Sequence, residues 1–166
     1  MKNIILTGMM GSGKTTIANL LGEKLSRQVI DTDDVVVELG GMSIAEMFSV
    51  RGEEFMRKLE TESCRLLSEK EDLIIATGGG LPMRQENRDF LRGTGIVVFL
   101  NRDPGVTYDT MDRTGRPLAQ QGRDAFVQRF LDREPTYRGF SHIVINDFSC
   151  PENTVAEILQ KLEDVL

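Results

Sequence analysis

Four short stretches of the chain are apolar almost throughout: residues 3–7 (NIILT), 74–77 (IIAT), 95–100 (GIVVFL) and 142–146 (HIVIN). A strand with one wet face alternates apolar and polar residues. These runs do not, so they predict strands buried on both faces, as in a parallel sheet. A shorter run, 28–31 (QVID), predicts a further strand. Between the runs the period changes to that of a helix. Ile17, Leu20, Leu21 and Leu25 form one stripe, and Phe55, Leu59, Leu66 and Leu67 form another between Glu53 and Lys70. Val155, Ile158, Leu159, Leu162 and Leu166 form a third near the end of the chain. Helix starts are marked by the capping box SIAE (43–46), by Asp103-Pro104 and by SCPE (149–152). Strands alternating with helices predict an α/β fold, a three-layer α/β/α doubly wound parallel sheet whose ligands gather at the carboxyl ends of the strands.

Composition narrows the classes. With 166 residues the chain is expected to form a single domain, residues 1–166, and the absence of repeats or linkers agrees. A net charge of -6 argues against a general nucleic-acid binder, whose affinity comes from excess Lys and Arg. Cys64 and Cys150 make no CxxC pair and there is one histidine, so no zinc site is expected and a reducing, cytoplasmic setting is. Met1-Lys2 runs straight into the first predicted strand, and no apolar run approaches a membrane span; neither a leader nor a membrane partner is expected.

The first candidate chemistry lies just after residue 7. Gly8-Met9-Met10-Gly11-Ser12-Gly13-Lys14-Thr15 satisfies G-x-x-x-x-G-K-[ST] between a strand and a helix. The glycines let successive N–H groups point at an anion, and the helix adds its positive end. Lys14 can reach the β- and γ-phosphates and Thr15 can ligate Mg²⁺. A dinucleotide fingerprint fails because its third glycine would fall at Thr16. The guanine-reading N-K-x-D is missing too, the nearest text being NRDP at 101–104. An ATP·Mg²⁺ site in a small phosphotransferase remains.

Candidates for the acceptor side lie further along. Asp31 and Asp33 alternate at the end of the second strand, so on an extended chain both would point one way, one toward a metal-bound water and one toward a hydroxyl. Asp34 reads better as a helix cap. Arg57 and Glu60 are three apart on a helix, which by spacing alone fits a surface ion pair. Gly78, Gly79 and Gly80 follow the third long strand, where they permit close backbone approach with N–H groups free to donate. Residues 112–123 (DRTGRPLAQQGR) read as a lid or a plain solvated loop, with Arg113 and Arg116 able to sweep over phosphates. Arg138, beyond Pro135, says little alone.

Taken in order, GMMGSGKT, DTD, FMRKLE, GGG, RTGRPL and PTYR resemble the shikimate kinases, small P-loop NTPases of the nucleoside-monophosphate-kinase-like group. The resemblance covers essentially the whole chain. It implies five parallel strands in order 2-3-1-4-5 and transfer of the ATP γ-phosphate to the 3-hydroxyl of shikimate, toward chorismate and the aromatic amino acids. By motif, Gly11, Ser12, Gly13, Lys14, Thr15 and Thr16 would hold the ATP phosphates. Asp31 would hold Mg²⁺ through water beside Thr15. Asp33 would meet the shikimate hydroxyls as the base, and Lys14 and Arg116 would complete the catalytic set. Arg57 and Arg138 would clamp the carboxylate, Glu60 would orient Arg57, and Gly78, Gly79 and Gly80 would line the ring. Arg113 would pack on adenine opposite the turn from Asn146 to Pro151. Segments 31–62 and 112–123 would form the substrate-binding helices and the lid. Met56 stands where the family often has Phe. A monomer is expected. The rivals are another small-metabolite kinase of the same fold, such as a gluconate kinase, and a non-catalytic ATP-binding regulatory module.

Overall fold

Strands β1 (Asn3–Thr7), β2 (Gln28–Asp31), β3 (Leu73–Ala76), β4 (Gly95–Leu100) and β5 (Ile143–Ile145) form one parallel sheet in the order β2-β3-β1-β4-β5. The computed structural model describes residues 1–114 and 117–165, the side chains of Pro117 and Leu118 excepted. Arg116, expected in the lid, and Leu166, expected in the last helical stripe, lie outside the described residues. Among the described residues the α-helices are α1 (Lys14–Leu25), α2 (Thr32–Gly40), α3 (Ile44–Glu46), α4 (Glu53–Ser68), α5 (Gln85–Thr94), α6 (Pro104–Thr110), α7 (Arg123–Phe140) and α8 (Pro151–Val165). Among the described residues, no helix is long and apolar enough to cross a membrane.

The unbroken apolar runs have their predicted cause, since both sheet faces are covered. Ile4 and Leu6 face α1 and α8, packing with Ile17, Leu21, Val155 and Ile158. Ile5 faces the other way, toward Cys64 and Leu67 of α4 and Leu91 of α5. A side cluster of Val36, Met47 and Met56 holds α2, the turn after α3 and α4 together. Burial pushes the Cys64 thiol up to about 12, so it stays protonated inside the core. Asp103 caps α6 through the Val106 N–H at 2.9 Å, with Pro104 next, as its sequence signature predicts.

Three local expectations change. Asp31, rather than Asp34, caps α2, accepting from the Asp33 N–H at 2.9 Å. The chain therefore turns helical at Thr32, and Asp31 and Asp33 are not alternate residues of an extended strand. On α4 the buried stripe is Met56, Glu60, Ser63, Cys64 and Leu67, leaving Phe55, Leu59 and Leu66 on its flank. A carboxylate thus occupies a core position, for a reason that belongs to the site.

The edge of the sheet at β5 contains one unusual bond. His142 donates its own N–H to the Val97 carbonyl at 2.8 Å, and its ring Nδ1 accepts from the Val97 N–H at 3.0 Å. The imidazole thereby does the work of one more backbone carbonyl. Partial burial of the ring, then the charges of Arg92 and Lys2, hold its pKa below the ordinary histidine value. The accepted hydrogen bond acts in the same direction. The unfolded chain therefore binds this proton more readily than the folded one. Stability from the group is full above about pH 6.5 and declines as pH falls through the lower folded value. His142 is the single histidine, so NMR should show one imidazole titrating with a midpoint below about 6.5. In His142→Phe the fall in Tm between about pH 7 and pH 5 should be shallower than in the parent.

Candidate active site

β1 lies between β3 and β4, so the loops that leave β1 and β3 emerge side by side. Thr77 ties them, since both its N–H and its hydroxyl donate to the Leu6 carbonyl, at 3.1 and 2.9 Å. A cleft of about 510 Å³ opens over these two loops, at the carboxyl ends of the strands.

One wall is the glycine loop of residues 8–15. Gly11 has φ +75°, and a Cβ there would lie 2.6 Å from the Met111 sulfur, so both conformation and space require glycine. Lys14 is buried, with its ammonium donating to the carbonyls of Gly8 and Met9 at 2.7 Å each. Gly11, Gly13, Lys14, Thr15 and Thr16 line the cleft, while the Ser12 side chain is buried beneath it. Thr15 Oγ1 donates to Asp31 Oδ2 at 3.2 Å, which brings the two residues expected at the metal together. Among the described residues, no cluster of three or more His, Cys, Asp or Glu side chains could hold a metal ion. Mg²⁺ does not require one, because it keeps waters and phosphate oxygens among its ligands.

The facing wall is built on the triple glycine. Each of the three makes room for a different charged or loop group. A Cβ on Gly78 would lie 2.8 Å from Asp33 Oδ1 and 3.1 Å from Glu60 Oε2. On Gly79 it would meet the Met10 N–H at 3.2 Å and Arg133 Nη1 at 3.5 Å, and on Gly80 it would strike the Arg57 guanidinium at 2.5 Å. The glycines are small here for the sake of their neighbours, and none has a positive φ. The expectation of three free N–H donors is corrected at Gly78, whose N–H donates to the buried Thr32 hydroxyl at 2.9 Å. That bond fastens the turn to the first residue of α2, immediately before Asp33.

Arg57 and Glu60 form more than a surface pair. Glu60 is 3 % exposed, and its Oε1 accepts from Arg57 Nη1 at 2.7 Å; the other end of Arg57 meets Glu53 at 3.0 Å. Burial pushes the Glu60 carboxyl up, Arg57 pulls it down, and the nearby Asp33 charge adds to the push. Arg57 stays a cation, since Glu60 and Glu53 outweigh the cost of its own burial.

The second arginine of this wall is not the expected one. Arg138 does not line the cleft; its side chain is 51 % exposed and paired with Glu134 on the same helix. Arg133 lines it instead. Five residues along a helix turn the side chain about 140° away, so the two arginines of α7 face different ways. Arg133 is 8 % exposed, and among the described residues no carboxylate lies within ion-pair distance of it. Arg113 also departs from expectation, with its guanidinium over the Tyr108 ring at 4.4 Å and donating to the Tyr108 carbonyl at 3.0 Å. Met111, Asp112 and Thr114 line the cleft there, and Arg113 and Pro151 do not. Asn146, in the turn leading to Pro151, accepts from the Asn101 amide at 2.9 Å.

The model of the shikimate kinase family matches residues 10–163 of this chain. A shikimate kinase of Symbiobacterium thermophilum is 38% identical over 168 aligned positions, covering 98% of this chain and 97% of that protein. Among solved structures, a shikimate kinase from Acinetobacter baumannii in complex with shikimate superimposes with a TM-score of 0.93 at 33% identity, over 99% of this chain and 94% of that one. A gluconokinase from Sinorhizobium meliloti reaches a TM-score of 0.66 at 18% identity, over 99% of this chain and 93% of that one, a likeness of fold alone.

The Thr32 bond to Gly78 has a measurable worth. Thr32→Val keeps the shape of a fully buried side chain but leaves that N–H without its acceptor. We expect a loss of about 1–3 kcal/mol in urea unfolding. An unchanged midpoint would show that the bond does not hold the turn.

Proposed function

The chain belongs to the shikimate kinase family, and we infer from the cleft how it phosphorylates shikimate with ATP: the glycine loop holds the donor, Asp33 faces the 3-hydroxyl, and Arg57 with Arg133 receives the carboxylate. The observation that carries the acceptor side is Arg133, a nearly buried guanidinium in the cleft that feels the charge of Glu60 but, among the described residues, has no carboxylate within ion-pair distance. An anionic ligand supplies that partner. A planar carboxylate suits two guanidinium groups, each with parallel N–H donors. A neutral polyol such as a sugar would leave Arg133 without a direct ion-pair partner.

On the donor side, backbone N–H groups of residues 11–16 and the start of α1 receive the phosphates, and Lys14 turns its ammonium from loop carbonyls to the β- and γ-oxygens. Thr15 and Asp31 fit Mg²⁺, directly and through water respectively, and the ion when bound neutralises charge on the β- and γ-phosphates. Asp33 accepts the hydroxyl proton as the new O–P bond forms and the bond to ADP breaks. Glu60 keeps Arg57 in place, and residues 31–62 serve as the acceptor-holding segment. In the segment 112–123 we assign Arg116 to the transferring phosphate and Arg113 to adenine, opposite Pro151, which requires Arg113 to leave Tyr108 when nucleotide binds. Described residues of one chain line both walls of the cleft, which supports a monomer with small molecules as its partners, and the free Cys64 and Cys150 fit a reducing, cytoplasmic setting.

An assay coupled to ADP release tests the reading. Turnover is expected with shikimate and not with gluconate or nucleoside monophosphates; preference for gluconate would replace the acceptor, and no turnover with any of them would favour a regulatory ATP-binding module. Asp33→Asn should lower kcat by roughly 10²–10⁴-fold with ATP affinity little changed. Near-normal kcat in that variant would remove Asp33 as the base.

A further inference from the structure

Tyr137 is fully buried on α7, and its ring packs on Phe99 with centroids 5.3 Å apart. Phenylalanine would fill the same space. A buried hydroxyl costs free energy unless it is bonded, so its presence calls for a reason beyond packing. The hydroxyl donates to the Gly79 carbonyl at 2.5 Å and lies 3.5 Å from the Met9 sulfur. Arg133, one helical turn earlier, approaches the same sulfur at 4.0 Å, and its Nη1 is 3.5 Å from where a Gly79 Cβ would stand. Both side chains of this face of α7 thus end on the middle glycine of the turn. Burial pushes the phenol up to about 12, so it is a donor at any physiological pH.

We propose that the Tyr137 hydroxyl is a positioning group for acceptor binding: by pinning Gly79 against α7 it fixes the seat on which the Arg133 guanidinium meets the acceptor carboxylate. The hydroxyl touches no substrate and acts through Arg133. The inference rests on the reading of Arg133 given above.

Steady-state kinetics with shikimate and ATP varied separately tests it. Tyr137→Phe should raise the KM for shikimate about tenfold, with kcat and the KM for ATP within about twofold of the parent. In an Arg133→Met background the same change should alter the KM for shikimate less than about twofold, because the group it positions is gone. Where the double variant is too unstable to assay, the carboxamide of shikimate replaces it, and Tyr137→Phe should not affect its KM. A parent-like KM for shikimate in Tyr137→Phe, equal factors in both backgrounds, or a joint decline of all three constants would each overturn the proposal. An unchanged KM in Arg133→Met alone would overturn the acceptor-site reading, and this inference with it.

Discussion

A carboxylate inside a small domain must be paired or protonated, and Glu60 sits at a core position of α4 with Arg57 one turn before it. The rest of the acceptor wall depends on that pair. Glu60 fixes the Arg57 guanidinium over Gly80, and its second oxygen shares the space over Gly78 with Asp33. Removing the carboxylate would leave a partly buried cation held, among the described residues, by Glu53, and removing the arginine would strand the carboxylate. The cost of burying both groups is met by a charged surface aimed into the cleft.

The sheet order places this wall against the donor. With β1 between β3 and β4, the phosphate loop and the glycine turn share one end of the molecule, and Gly79 lies against Met10 and Gly8. An acidic chain of net charge -6 therefore presents Lys14, Arg57 and Arg133 in the same cleft as Asp31, Asp33, Glu60 and Asp112. The field at a bound group is set by its close neighbours, so each anion is received at its own cation rather than by the sign of the cleft as a whole.

Much of this was readable before any coordinates. The unbroken apolar runs gave the buried parallel strands, and the fixed positions of GMMGSGKT gave the phosphate loop. Charged residues in helices were harder. On α7 the buried positions are Phe126, Phe130, Arg133, Tyr137 and Phe140, alternating steps of four and three. One arginine in an otherwise aromatic stripe is a signal that helix-face arithmetic reveals, whereas the motif PTYR points to Arg138. On α4, Glu60 interrupts the apolar stripe in the same way, and choosing only apolar residues shifted that stripe by one position. The three glycines line the cleft, but for a different physical reason than their sequence suggests. Local sequence suggests a flexible turn with free donors, whereas the space they provide is claimed by residues of α2, α4 and α7, far away in the chain. The Thr32 bond to Gly78 and the departure of Arg113 toward Tyr108 depend on such tertiary placement, and no spacing rule reveals them.

The three glycines also constrain how this chain can diverge. A methyl group at Gly78 displaces Asp33 and crowds Glu60, one at Gly80 displaces Arg57, and one at Gly79 crowds the Met10 N–H of the phosphate loop. No single substitution in the turn can be absorbed within the turn. Each would need a compensating change on α2, on α4 or in the phosphate loop, and each of those already carries a residue of the cleft. Drift at these positions is therefore strongly epistatic, and descendants with altered acceptor preference are more readily reached through the apolar side of the pocket, at Ile44, Phe48 and Met56, than through its glycine floor.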